Sequence, residues 1–162
     1  MIEIITTGGT IDKVYFDAKS TYEVGESPVG ELLREANLTV DIRVRPLLRK
    51  DSLEMTDADR AQIRRAVQES ATERIVITHG TDTMVETGRA LLGIAGKTLV
   101  LTGAMLPARF RSTDALFNVA SAITAVQLLP PGVYIAMHGR IFDPRTTRKN
   151  VAENRFETLA GD

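Results

Sequence analysis

Short apolar runs recur five times along this chain of 162 residues, and longer segments with a helical period separate them. The runs are rich in β-branched residues and nearly continuous, which is typical of strands covered on both faces in a parallel sheet. They span residues 2–6, 40–47, 74–78, 97–103 and 132–137. The alternation predicts an α/β fold of the Rossmann-like class, in which helices sandwich a doubly wound, mostly parallel sheet.

Helix signals accompany the segments between the strands. Helical periodicity covers residues 29–36, 57–70, 83–94 and 113–128. Thr56 stands where the second helix needs an N-cap, and Ser112 or Thr113 is placed to cap the fourth. Thr83 and Glu86 have the spacing of a capping box for the third helix.

Two regions interrupt this alternation. Residues 13–25 alternate weakly and contain the turn-like sequence "DAKS", which predicts an N-terminal β-hairpin or a mobile flap. The segment after Met137 is polar and rich in charge. We expect it to form a loop and a short terminal element.

The composition argues against several classes of protein. A formal net charge of -1 argues against a nucleic-acid or membrane partner held by bulk electrostatics. The absence of cysteine excludes disulfides, thiolate metal sites and cysteine nucleophiles, and two histidines are too few for a histidine-rich metal site. No apolar run approaches the ~18 residues of a membrane span, and no signal peptide is recognisable, so we expect a cytoplasmic protein.

Two strand ends carry more polar chemistry than a turn requires. "TTGGTIDK" follows the first strand and "THGTDT" follows the third. Because ligands of open α/β sheets bind outside the carboxyl ends of the strands, both turns belong to the expected crevice. A threonine hydroxyl acts as a nucleophile when a base or amine activates it, which makes Thr10, Thr81 and Asp82 candidate reactive groups. Lys149, from the polar tail, is the natural cation to hold the carboxylate.

Each of these features also has a structural interpretation. A Gly-Gly turn is common in nucleotide-binding folds, although the third glycine of the dinucleotide fingerprint is missing here. Thr81 and Asp82 are placed to cap the next helix, and His79 is typical of a packed, hydrogen-bonded residue. Lys149 is equally typical of a solvent-exposed residue in a charged segment. The residues alone leave both interpretations open.

Four segments together resemble a known family. "TTGGTI" and "THGTDTMVET" resemble the two signature motifs of the bacterial-type L-asparaginase family. "LTGAMLPARFRSTDALFNVASAI" is similar to the family's next block, and "GVYIAMHGRIF" to its last strand and turn. The similarity runs in order along nearly the whole chain. It implies hydrolysis of a side-chain amide with release of ammonia, without a metal or cofactor.

The resemblance assigns roles one position at a time. Thr10 matches the threonine of the first motif, which the family uses as the acylated nucleophile. Thr81 and Asp82 match the threonine–aspartate pair of the second motif. Ser52, in "KDSLEMTD", matches the serine that helps to grip the substrate's α-carboxylate. Lys149 matches the lysine that follows the turn after the last strand.

Some positions stay open or depart from the family pattern. The flap tyrosine is Tyr22, in a Tyr-x-Val-Gly context, or Tyr15, which is nearer to Thr10 along the chain. If the alignment with the family shifts by one residue, Arg148 takes the place of Lys149. The remaining expected substrate-binding residues are Gly9, Asp51 and Gly80. The position after the serine is often polar in the family, whereas here it is Leu53.

Length is the largest departure. Typical members of the family are about twice as long and carry a second domain, so we expect residues 1–162 to be a short form with one catalytic domain. Such a chain would complete its pocket by forming a homo-oligomer, a dimer or a tetramer. The expected substrate is L-asparagine. Glutamine, another amide, or a non-catalytic module that binds aspartate or asparagine remain alternatives.

Overall fold

The computed structural model describes residues 1–159. Its strands are β1 (Ile2–Gly8), β2 (Lys13–Phe16), β3 (Thr21–Val24), β4 (Ile42–Lys50), β5 (Arg74–Thr78), β6 (Thr98–Thr102), β7 (Gly132–Met137), β8 (Arg140–Phe142), β9 (Thr147–Asn150) and β10 (Arg155–Thr158). Its α-helices are α1 (Val29–Glu35), α2 (Asp57–Glu69), α3 (Met84–Ala90) and α4 (Ala115–Leu128). Among these residues, no helix combines the length and apolar character needed to cross a membrane.

Six strands form one sheet in the order β4-β1-β5-β6-β7-β8. The first five are parallel and β8 is antiparallel to β7, which confirms the doubly wound fold and all five predicted strands. The chain moves from β1 to the edge strand β4 and then crosses back to add β5. The order therefore reverses at β1, and the crevice outside the carboxyl ends of β1 and β5 is where such sheets bind ligands.

Two apolar clusters cover the two faces of the sheet. Side chains alternate between the faces along a strand, so Ile5 of β1 and Ile77 of β5 join one cluster, whereas Ile4 and Val76 join the other. The first cluster includes residues of α2 and α3, and the second includes residues of α1 and α4. Burial on both faces explains the continuous apolar runs in the sequence.

The predicted cap of α2 is confirmed, whereas the N-cap of α4 is Asp114, whose side chain does not cap the helix, and not Ser112 or Thr113. The Thr56 hydroxyl accepts a hydrogen bond from the Asp59 amide, and the Asp59 carboxylate accepts one from the Thr56 amide. At the start of α4, the Thr113 hydroxyl accepts a hydrogen bond from the Ala115 amide (3.1 Å). These contacts satisfy amides that lack a partner within the helix.

The capping box predicted for α3 is wrong. Thr83 occupies the N-cap position, but its hydroxyl donates to the carbonyl oxygen of Ser52 (2.7 Å) and does not cap the helix. The Thr83 hydroxyl therefore makes a tertiary hydrogen bond instead of the helix-capping bond that the local sequence pattern predicted. The helix is also shorter than expected, since it ends at Ala90.

The flap is a hairpin, as predicted, whereas the tail contains more structure than predicted. Strands β2 and β3 pair antiparallel, with a short 3₁₀ turn between them. In the tail, β8 extends the main sheet, and β9 and β10 form a hairpin of their own. Phe142 and Phe156 are buried in the core and anchor this polar segment. The last three residues of the predicted tail, 160–162, lie outside the described residues.

Candidate active site

The turns after β1 and β5 meet in backbone contact. Gly8 and Gly9 have positive φ angles of 101° and 90°. A Cβ atom on Gly9 would collide with the backbone of Gly80. The Thr7 hydroxyl adds a hydrogen bond to the Thr78 carbonyl oxygen (2.8 Å) across the two strand ends. The paired glycine turn therefore serves close approach between the two motifs.

A third segment, after β4, packs against the turn that follows β5. Gly80 has room for no side chain, because a Cβ atom there would lie 2.5 Å from the Ser52 hydroxyl oxygen. Ser52 is 1% exposed, and its hydroxyl has no hydrogen-bond partner among residues 1–159. A buried hydroxyl costs free energy unless it is paired, so the Ser52 oxygen needs a partner that the described residues do not supply.

Lys149 forms the most direct link between the tail and the second motif. Its ammonium group donates hydrogen bonds to the Thr81 hydroxyl (2.8 Å) and to the Asp82 carboxylate (2.6 Å). Thr81 is buried, and the Lys149 side chain is largely covered. A charge-assisted contact in a partly desolvated position is stronger than the same contact in water.

The hairpin of β9 and β10 determines which cation enters the crevice. Lys149 pairs in register with Phe156, which is buried, and the two side chains lie on the same face of the hairpin. The neighbouring Arg148 points to the opposite face and forms an ion pair with Glu157 (3.3 Å). The one-residue shift that would have placed Arg148 at the site is therefore wrong.

His79 is a structural residue, as predicted. Its Nδ1 atom lies 2.7 Å from the carbonyl oxygen of Gly80, which only accepts, so Nδ1 carries the proton and the Thr87 hydroxyl donates to Nε2 (2.8 Å). Burial lowers the pKa of His79 to about 4, and the nearby Arg60 guanidinium contributes in the same direction. The ring is therefore neutral at pH 7 and fixes the backbone of the second motif.

Asp51 connects the Ser52 segment to the base of the flap. Its carboxylate forms an ion pair with Lys13 (2.8 Å) and accepts the Leu53 amide. Burial acts to raise the pKa of Asp51, but Lys13, the Leu53 amide and the charge of Lys149 outweigh it and hold the pKa below its usual value. Asp51 is therefore ionised. The Leu53 side chain is 74% exposed and supplies no polar group.

Asp12 is a buried acid that the sequence analysis did not identify. It closes the short 3₁₀ helix that begins at Thr10 and is 2% exposed. Burial raises the pKa of Asp12 to about 6, and the Ser27 hydroxyl, the Gly8 amide and the Arg49 guanidinium offset this only in part. The available signal was a charged residue directly after the buried run that ends at Ile11.

The flap tyrosines face each other across the hairpin. Tyr15 and Tyr22 are paired in register, with ring centroids 5.4 Å apart. Tyr22 also contacts the ring of Phe110 edge-on, at a centroid distance of 5.9 Å. Both tyrosines are about half exposed. Phe110 was not predicted, because no local pattern indicates which loop lies beside the flap.

The structure thus brings two groups of predicted residues together and pairs Asp51 with Lys13, which was not predicted. Gly9, Gly80 and Ser52 are in contact, and Thr10 directly follows Gly9. Thr81, Asp82 and Lys149 share hydrogen bonds, and Asp51 pairs with Lys13. The three turns after β1, β4 and β5 thus carry a threonine hydroxyl, a buried hydroxyl without a partner among residues 1–159, and a lysine–carboxylate pair at the same edge of the sheet.

Comparison with known proteins places this geometry in context. The family model described as "Asparaginase, N-terminal" matches residues 1–160. An L-asparaginase from Thermococcus kodakarensis is 34% identical over 150 residues, which is 85% of this chain and 44% of that protein. A glutamyl-tRNA(Gln) amidotransferase component from Methanococcus vannielii is 33% identical over 154 residues, which is 88% of this chain and 35% of that protein.

A solved structure gives the same result for the fold. L-asparaginase I from Vibrio cholerae superposes with a TM-score of 0.84 at 25% identity and covers 97% of this chain. The chain corresponds to 50% of that protein. It therefore spans about half or less of the length of the proteins that it matches.

Proposed function

The chain belongs to the asparaginase family, and we propose that it hydrolyses the side-chain amide of L-asparagine to L-aspartate and ammonia. The observation that carries this proposal is the contact of the Lys149 ammonium with both Thr81 and Asp82, beside the turn that holds Thr10. An ammonium that is hydrogen-bonded to both a hydroxyl and a carboxylate supplies the positioned donors and acceptors that general acid–base catalysis requires.

The first step of the proposed reaction forms an acyl-enzyme. The Thr10 hydroxyl oxygen attacks the amide carbonyl carbon while a flap tyrosine or a water takes its proton. Backbone amides around Thr81 stabilise the negative charge that develops on the carbonyl oxygen. The C–N bond then breaks, the nitrogen accepts a proton, and ammonia leaves. An ester joins the aspartyl group to Thr10.

The second step hydrolyses that ester. Thr81, Asp82 and Lys149 form the relay that removes a proton from the attacking water and returns one to the Thr10 oxygen. The carboxylate of Asp82 is also suited to the substrate's α-ammonium group. Water enters, aspartate leaves, and Thr10 regains its hydrogen, so that atoms and charge balance over the cycle.

The substrate's α-carboxylate is assigned to the segment after β4. The Ser52 hydroxyl is buried without a protein partner among the described residues, which supports a role in binding a ligand. Gly9 and Gly80 allow the ligand to approach the backbone, and Asp51 with Lys13 sets the charge at the edge of the pocket. Leu53 contributes no side-chain hydrogen bond, so we expect the grip on free asparagine to be weaker than with a polar residue there.

Adjacent cations on β9 provide a matched test. Lys149→Met should lower the rate of ammonia release from L-asparagine by about 100-fold or more, the contribution typical of general acid–base groups. Arg148→Met removes the same charge from the opposite face and should leave the rate unchanged. Equal losses in both variants would show that net charge matters and that the relay does not exist.

A different amide is the second candidate, because one similar protein is named as part of a glutamyl-tRNA(Gln) amidotransferase. Ammonia release should therefore be measured with L-asparagine and L-glutamine in parallel. A higher kcat/KM for glutamine would overturn the choice of asparagine. Binding of L-aspartate by calorimetry without ammonia release from either amide would indicate a non-catalytic binding module.

The extent of the functional unit is part of the proposal. We assign the chemistry to residues 1–162 as one catalytic domain that self-associates, as a dimer or tetramer, and acts in the cytoplasm. Light scattering at several protein concentrations tests the association. A monomer with full activity would contradict the idea that a second copy completes the pocket.

A further inference from the structure

The flap hairpin turns one face towards the body of the protein. In its register, Lys13 pairs with Val24 and Tyr15 pairs with Tyr22, so these four side chains share a face. Lys13, on this face, forms an ion pair with Asp51, which directly precedes Ser52 in the segment after β4. The two tyrosines therefore lie on the side of the hairpin that faces the crevice.

Only one of the two tyrosines contacts an aromatic ring of the body among the described residues. The Tyr22 ring meets Phe110 edge-on, whereas the aromatic neighbour of Tyr15 is Tyr22 itself. Phe110 is 38% exposed, so its ring is covered in part by the flap and in part open to solvent. An edge-to-face pair of this kind prefers a defined relative orientation of the rings.

The loop that carries Phe110 is anchored near the candidate nucleophile. The Ala108 amide donates to the carbonyl oxygen of Ile11, one residue after Thr10 (3.1 Å). At its other end, the Asp114 carboxylate accepts the amide of Met105 (3.0 Å) and so ties the loop to the start of α4. These hydrogen bonds tie the loop that carries Phe110 to the turn after Thr10 and to the start of α4.

We propose that Phe110 is a positioning residue, which holds the Tyr22 hydroxyl over the crevice and thereby selects Tyr22 over Tyr15 as the reactive flap tyrosine. The catalytic part of this inference rests on the proposed amide hydrolysis. Its structural part, that Phe110 fixes the Tyr22 ring, does not. The experiment measures the two parts separately.

Tyrosine fluorescence tests the structural part without reference to activity. The chain has no tryptophan and three tyrosines, so Tyr15→Phe with Tyr134→Phe leaves Tyr22 as the sole fluorophore. In this background, Phe110→Ala should raise the acrylamide quenching constant of Tyr22. Phe117→Ala removes an exposed phenylalanine from α4 and should not change it. Unchanged quenching in Phe110→Ala would overturn the proposal whether or not the chain is an enzyme.

Steady-state kinetics test the catalytic part in the otherwise unaltered chain. Phe110→Ala should lower kcat for asparagine by about three- to tenfold, the range that one aromatic edge contact is worth. The dissociation constant of L-aspartate should stay the same, because the side chains of Ser52 and Asp82 make no hydrogen bond with this loop among the described residues. Phe110→Tyr retains the ring and should restore kcat, and it also serves if Phe110→Ala folds poorly.

A double-mutant cycle separates positioning from a general structural role. Tyr22→Phe keeps the ring and removes the hydroxyl, so adding Phe110→Ala to it should lower kcat no further. An additional three- to tenfold loss in the double variant would show that Phe110 acts through something other than the Tyr22 hydroxyl. If the unaltered chain releases no ammonia but the fluorescence result holds, the proposed function fails and the placement of Tyr22 by Phe110 stands.

Discussion

Asp12→Asn should stabilise the protein at neutral pH and leave its stability unchanged in acid. Asp12 is 2% exposed, and one of its carboxylate oxygens makes no hydrogen bond with residues 1–159. Burial raises the pKa of Asp12 to about 6 from the usual 3.8. Asparagine has nearly the same shape and carries no charge at any pH, so it avoids the cost of burying a carboxylate.

The size and sign of the effect follow from the pKa shift. The folded protein holds the Asp12 proton more tightly than the unfolded chain does. The contribution of the protonated carboxyl to the free energy of unfolding is therefore fully present below about pH 4 and is lost as the pH rises through about 6. A shift of about two pKa units corresponds to about 3 kcal/mol, which is an upper limit. Above about pH 7 the loss is complete and stability no longer depends on this group.

Urea unfolding followed by circular dichroism from pH 4 to pH 8 measures this directly. The difference in the free energy of unfolding between Asp12→Asn and the unaltered chain should be small at about pH 4 and grow to about 2–3 kcal/mol by pH 7. Asp17→Asn, at an exposed aspartate in the flap, is the matched control and should show no such growth. A difference for Asp12→Asn that is the same at pH 4 and pH 8 would refute the reasoning.

Two further substitutions test the backbone contact and the substrate grip. Gly9→Ala should destabilise the fold by about 1–3 kcal/mol or more in thermal unfolding, because φ is 90° and a Cβ atom would collide with Gly80. Gly30→Ala, at a position on α1 with open space around it, should instead stabilise the fold by about 0.5–1 kcal/mol. An equal loss of stability in both variants would contradict the backbone contact between Gly9 and Gly80. Ser52→Ala should leave the free energy of unfolding nearly unchanged, since its hydroxyl has no partner among the described residues, yet raise KM for asparagine by about tenfold. A loss of stability with an unchanged KM would assign Ser52 to the fold alone.

Most of the fold could be predicted because its signals are local. Five apolar runs separated by helical patterns determined the parallel strands, since burial on both faces requires apolar residues at successive positions. The predictions failed where tertiary contacts decided the outcome. Thr83 bonds to Ser52, far along the chain, in place of its own helix. The polar tail forms strands because Phe142 and Phe156 are buried in the core. The tail is polar on average, so its composition does not indicate these two buried side chains.

The candidate site divides in the same way. Thr10, Thr81 and Asp82 follow strand ends, so the doubly wound order was enough to predict that they share one edge of the sheet. Asp12 and Phe110 act through non-local packing, the first by burial and the second by contact with the flap. The burial of Asp12 has one weak local signal, a charged residue directly after a buried run, and the contact of Phe110 with the flap has none.

The identity of the acylated residue decides whether Thr10 is the nucleophile. The chain should be mixed with L-asparagine, quenched in acid within the first turnover and mapped by mass spectrometry of its peptides. The peptide with Thr10 should gain the mass of one aspartyl group, and Thr10→Ala should show neither this species nor ammonia release. Release of ammonia by Thr10→Ala at the rate of the unaltered chain would contradict the assignment of Thr10 as the nucleophile.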